Sequence, residues 1–149
     1  MKLVLVHSFA LLLLVLFDPV LLVAASLGNP CNCYNGGCDQ TTLTTSTCPQ
    51  GPKCQGGDCD QTGTTNPGCA DGGCIQKDAT NPGCADGGCN QEGATHPGCA
   101  GGYCNQRGSI KPSCADGRCD QTDSTDPSCL GGGCVRLSVD VEESRFLRA

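Results

Sequence analysis

The feature that most constrains this chain is a period. From Gly51 the sequence divides without gaps into six 15-residue copies: 51–65, 66–80, 81–95, 96–110, 111–125 and 126–140. Each copy carries Pro, then Cys two places on, Gly three further and a second Cys two after that. Five copies then reach Gln two places after the second Cys, while the last reads Val135-Arg136. An imperfect copy comes first, Cys33-Tyr34-Asn35-Gly36-Gly37-Cys38-Asp39-Gln40, with Cys31 and Cys48 extra and a Thr/Ser-rich run at 41–47. Such a unit has no room for a 3.6-residue apolar pattern, so helix is not expected. Strand is expected only as two or three residues beside each turn.

Within the unit the residue types have separate jobs. Pro presets φ just before the first Cys. Gly36, Gly57, Gly72, Gly87, Gly102, Gly117 and Gly132 share one repeat position, so the unit requires a residue without Cβ there, at a tight turn.

The apolar fraction, 38%, resembles that of an ordinary domain, but its distribution does not. Between Gly28 and Cys134 the large apolar residues are only Tyr34, Leu43, Ile75, Tyr103, Ile110 and Leu130. They are too few for a conventional core, which argues against an enzyme with a preorganised pocket. The region is instead glycine-rich, low in complexity and dense in cysteine.

Four segments are expected. Residues 1–25 read as a signal peptide: Met1-Lys2, an apolar run broken at Asp18-Pro19, and small residues at Val23-Ala24-Ala25. Residues 26–50 form a cysteine-rich head, 51–140 the six repeats, and 141–149 a tail. Val135, Leu137, Val139 and Val141 alternate with polar residues in a strand-like pattern. No membrane span is expected after signal cleavage, and the protein is expected to be secreted and extracellular.

Secretion makes the 16 cysteines disulfide candidates. Two frameworks compete. Pairing within units joins Cys54–Cys59, Cys69–Cys74, Cys84–Cys89, Cys99–Cys104, Cys114–Cys119 and Cys129–Cys134, leaving Cys31, Cys33, Cys38 and Cys48 to the head. Pairing across connectors joins Cys59–Cys69, Cys74–Cys84 and Cys89–Cys99 but strands Cys54 and Cys134. Loop closure separates them little, at ~2.2 against ~2.8 kcal/mol per bridge, and the leftovers favour pairing within units. The expected fold is therefore small, disulfide-rich and mostly turn: stapled beads on a flexible string. The alternative is a solenoid whose coils are filled by disulfides. Within-unit bridges point to beads, and bridges across connectors point to the stack.

Other chemistry is sparse. No catalytic, cofactor or metal residues are assigned. C-x4-C meets only the loosest zinc spacing. Asp71, Asp86 and Asp116 share a position that other copies fill with Gly56, Gly101 and Gly131, so they make no calcium loop. A net charge of −6 leaves no footprint for nucleic acid. The Cys33–Cys38 turn resembles the Asn-Gly-Gly turn of epidermal-growth-factor-like modules, but the remaining cysteine spacing departs from that family and nothing is carried over.

Three functions fit. The first is a structural, matrix, surface-coating or secretory-fluid component acting through multivalent weak contacts, with self-association or intermolecular cross-linking. The second is a binding or defence module whose loops recognise an extracellular protein or glycan, with Tyr103 and Arg107 as the hints of a specialised copy. The third is ice binding through the Thr column.

Overall fold

The computed structural model describes residues 29–136. These fall almost wholly in the compact unit Cys31–Ala149. The expected signal peptide, Leu137–Asp140 of the last repeat and the 141–149 tail lie outside the described residues.

The copies are coils of a stack. Seven two-residue strands, β1 (Asn32–Cys33), β2 (Lys53–Cys54), β3 (Gly68–Cys69), β4 (Gly83–Cys84), β5 (Gly98–Cys99), β6 (Ser113–Cys114) and β7 (Ser128–Cys129), form one parallel sheet in chain order. Each Cys pairs with its counterpart in the next coil, as Cys69 with Cys84 and Cys84 with Cys99. Two further lines of parallel bridges run along the stack. One passes through Asp39, Asp60, Ile75, Asn90, Asn105, Asp120 and Val135, the other through Thr65, Thr80, Thr95, Ile110 and Thr125. No helix occurs among the described residues.

Six of the eight bridges are those of the within-unit framework, and the other two pair the four head cysteines it left over. Six span the C-x4-C of the repeats, one joins Cys33 to Cys38 and one joins Cys31 to Cys48. The solenoid alternative is thus the arrangement adopted, with the bridges that were expected of beads. Bridges within units imply independent beads only if the bridge is the main source of order. Here each cystine braces one coil, and other groups hold coil to coil.

Those groups are backbone amides and glutamine. Ala85 N–H donates to Cys69 O at 2.9 Å, Asn90 N–H to Cys74 O at 2.9 Å and Thr95 N–H to Ala79 O at 2.9 Å, so the coils from 51 to 125 are bonded to one another on all three lines. Inside, the cystines form the core cluster. Beside them Gln40, Gln61, Gln76, Gln91, Gln106 and Gln121 are buried to 0–1% exposure. Buried amides stay inside only when paired, and these pair with one another. Gln76 Nε2 donates to Gln61 Oε1 at 2.9 Å and Gln91 Nε2 to Gln76 Oε1 at 3.0 Å, and so on along the stack. Pro52, Pro67, Pro82, Pro97 and Pro112 fill the corner of each coil.

The shared glycine position answers to stacking as well as turning. Gly87 has φ +82°, and a Cβ there would lie 2.1 Å from the Gly102 carbonyl oxygen of the next coil. The site therefore excludes a side chain on two grounds, left-handed backbone and lack of space.

Candidate binding face

The strand face is an open, largely apolar surface. Alternation along β1–β7 turns each Cys inward and its two neighbours outward. Two columns result. Gly68, Gly83 and Gly98 lie on one side of the cysteines, continuing to Ser113 and Ser128. Ala70, Ala85, Ala100 and Ala115 lie on the other, ending at Leu130. With nothing larger than Ala over the middle coils, the columns leave an open trough of about 650 Å³.

The ends of the trough differ from its middle. At the N-terminal end the Lys53 stem lies over Gly68, and its Nζ donates to Asn66 O at 3.2 Å. Tyr34 is 63% exposed on the alanine column's first coil, and Leu130 is 85% exposed at the other end. Exposed Asp71, Asp86 and Asp116 follow three of the alanines directly, and Gly101 follows Ala100.

A second exposed column carries paired charges. Lys77 Nζ meets Glu92 at 2.9 Å, and Arg107 Nε lies 4.0 Å from Asp120. The Glu92 bond raises the Lys77 pKa, and Lys77 in turn lowers that of Glu92. The Thr122 hydroxyl is the main cause holding Asp120 below its ordinary value, and Thr41 does the same for Asp39. These pairs are solvent-screened and add little to stability. Tyr103 packs under Arg118, whose guanidinium carbon lies 5.4 Å from the ring centre and whose Nη1 also donates to the hydroxyl. Tyr103 and Arg107, the two hints of a specialised copy, therefore stand in two different side-chain pairs and do not converge on one site.

Triples such as Cys69, Cys84 and Cys89 bring sulfurs within 4.8 Å of one another, but every cysteine is disulfide-bonded and none is a free thiolate ligand. The turn glycines from Gly36 to Gly132 all have positive φ. Asp71, Asp86 and Asp116 stand exposed on three turns, with Gly101 at the same place in the copy between the last two. The Thr column lies in single file and is interrupted by Ile110.

The buried Gln column is the element that residue-by-residue reading missed. Its signal was present, because Gln recurs two places after the second Cys from Gln40 to Gln121. A solvated polar position drifts between copies, as Ile75, Asn90, Asn105 and Asp120 do immediately before it. An unchanging amide in a unit otherwise short of large residues marks a buried, paired group.

Fold and face together define a secreted-type cystine solenoid: stacked coils with repeated rows along the stack. The chain belongs to the family described as the secreted RxLR effector protein RXLR-C08 C-terminal domain, whose model matches residues 28–97 and again 76–145. A repeating sequence offers one model more than one placement, hence the overlap. The chain is accordingly a secreted, disulfide-rich tandem-repeat protein. No curated protein and no solved structure gives a match. The letters R-x-L-R also occur in the chain, as Arg145-Phe146-Leu147-Arg148, outside the described residues. No helix among the described residues is long and apolar enough to cross a membrane.

Proposed function

We propose that this protein is a non-enzymatic secreted binding protein that holds an extended segment of another extracellular protein along the trough. The observation that carries this reading is the trough itself: two columns of Gly and Ala kept in register over successive coils. Such a surface suits a strand with small apolar side chains on one face and Lys or Arg reaching for the exposed Asp71, Asp86 and Asp116 on the turns that follow the alanines. Each coil contributes a weak contact, and affinity accumulates over several coils, as expected of multivalent recognition. A glycan fits less well, because the middle coils offer no aromatic platform. The family's description as an effector supports action on a partner rather than service as bulk coating. A cross-linked matrix is disfavoured because all 16 cysteines are consumed within the chain.

The test uses immobilised peptides alternating Ala or Val with Lys, against acidic and scrambled controls. The native protein is expected to bind the basic series in a salt-sensitive way. Ala85→Arg with Ala100→Arg, on the trough, should weaken binding by about tenfold or more, while Glu92→Gln, on the other column, should not. Equal binding to all peptides, or no effect of the trough pair, would overturn the proposal. The ice-binding reading rests on one interrupted Thr row, and absence of thermal hysteresis would end it.

A further inference from the structure

The buried sulfurs converge more closely than pairing alone requires. Parallel register sets the first cysteine of each coil beside that of the next, as Cys54 beside Cys69 and Cys69 beside Cys84. The C-x4-C turn then brings the second cysteine of each coil up to its own first. The result is five triples, each made of the first cysteine of one coil and both cysteines of the next. The series begins with Cys33, Cys54 and Cys59 and ends with Cys99, Cys114 and Cys119. In each triple the three sulfurs lie within 4.8 Å of one another. Consecutive triples share a residue, so Cys54, Cys69, Cys84 and Cys99 each belong to two. All these cysteines are 0–4% exposed.

As cystines these sulfurs ligate nothing. Reduction changes their chemistry. A trialkylphosphine and one water turn each cystine into two thiols, and the phosphine leaves as its oxide. The bonds that hold coil to coil contain no sulfur. Asn90 N–H donates to Cys74 O at 2.9 Å, and in the glutamine ladder Gln91 Nε2 donates to Gln76 Oε1 at 3.0 Å. Stacked coils therefore present their thiols as one column. Three sulfurs around a trigonal ion, with metal–sulfur bonds of about 2.3 Å, stand about 4 Å apart, inside the span that each triple already has. The two sulfurs of an opened bridge part to that distance by rotation about their own Cα–Cβ bonds. Zinc takes four ligands in a closed structural site. No fourth Cys, His, Asp or Glu joins any triple among the described residues. Three soft sulfurs in a column shielded from water suit Cu(I) instead.

We propose that the reduced stack is a Cu(I) site, with five ions in a row, one in each triple. Each thiol that ligates gives up its proton to solvent. A sulfur that belongs to two triples bridges two ions, which limits the negative charge buried for each ion held. A cystine braces one coil, whereas an ion in a triple ties two coils together. The metal thus supplies across coils what reduction removes within them, and its binding energy is spent on keeping the stack folded.

The experiment titrates the full chain, reduced with the phosphine and kept free of oxygen, with Cu(I) added as its acetonitrile complex against a coloured Cu(I) chelator. Thiolate-to-copper absorption in the ultraviolet counts the ions bound. Native sequence is expected to take five. In the loaded protein the Asn90 and Asn105 amides should exchange about tenfold or more slowly than in an unstructured chain. Cys31→Ser with Cys48→Ser, and separately Cys129→Ser with Cys134→Ser, remove two thiols outside every triple and should still take five. Cys69→Ser with Cys74→Ser also removes two thiols, but these serve two of the five triples, so three ions should remain. An unfolded thiol-rich chain would instead lose the same capacity in all three variants. Equal losses, exchange at the unstructured rate in the loaded protein, or no uptake in competition with the chelator would each overturn the proposal.

Discussion

The coils between Gly51 and Thr125 and the coil that begins at Asp126 share one sequence pattern but not one environment. In an interior coil Cys84, Cys89 and Gln91 are at most 3% exposed, with a neighbour above and below. In the last coil Cys129 and Cys134 are half-buried and Gly131, Gly132 and Gly133 are exposed. The difference shows where order comes from. A single unit has a bridge and a turn but buries almost nothing. Burial of cystine and glutamine appears only when a second coil covers the first, as in other stacked-repeat architectures.

The sharpest way to break this comparison is to place the same substitution at equivalent positions in the two regions. Gly87 and Gly132 share a repeat position and both have positive φ, but a Cβ meets Gly102 O at 2.1 Å at Gly87 and nothing within 4 Å at Gly132. Gly87→Ala is expected to cost about 4 kcal/mol or more, through overlap plus left-handed strain. Gly132→Ala should cost only the strain, about 1 kcal/mol. Urea unfolding of the oxidised proteins measures both, and equal losses would contradict the stacked reading.

A somewhat smaller effect is expected inside the ladder. Gln91→Leu keeps the volume but leaves Gln76 Oε1, Gln106 Nε2 and Gly98 O without their partner. With buried polar groups orphaned on both sides, the loss should be about 3 kcal/mol. The same denaturation experiment reads it, and a neutral Gln91→Leu would show that the ladder is not what joins the coils.

The smallest effect belongs to the end. Limited reduction followed by alkylation and mass mapping should open Cys129–Cys134 before the buried bridges of coils 51–125. Its loss should cost about 2 kcal/mol or less, the loop-closure value for a short ring, and leave the interior coils folded. Early reduction of Cys84–Cys89 would run against this order.

Much of this was legible in the sequence, for reasons that show where legibility stops. The coil length, the two-residue strands beside Cys and the need for Gly at one position all follow from local rules, because turn chemistry is local. The choice between beads and stack did not follow from spacing, since C-x4-C bridges suit both. It depended on Gln40 through Gln121, whose partners are 15 or 21 residues away and whose polarity suggests solvent until burial supplies the pairing. The trough was hidden for a similar reason. Gly83 and Ala85 say little alone and become a surface only when Gly98 and Ala100 stand beside them.

The central claim is that successive units are hydrogen-bonded into one stack rather than strung as separate staples. Hydrogen exchange of the Ile75, Asn90, Asn105 and Asp120 amides in the oxidised protein tests it most directly. Each donates to a Cys carbonyl of the preceding coil, at 2.9 Å. The stack predicts slow exchange at all four, by about a hundredfold or more relative to an unstructured chain. Exchange at the unstructured rate, with all eight bridges intact, would contradict it.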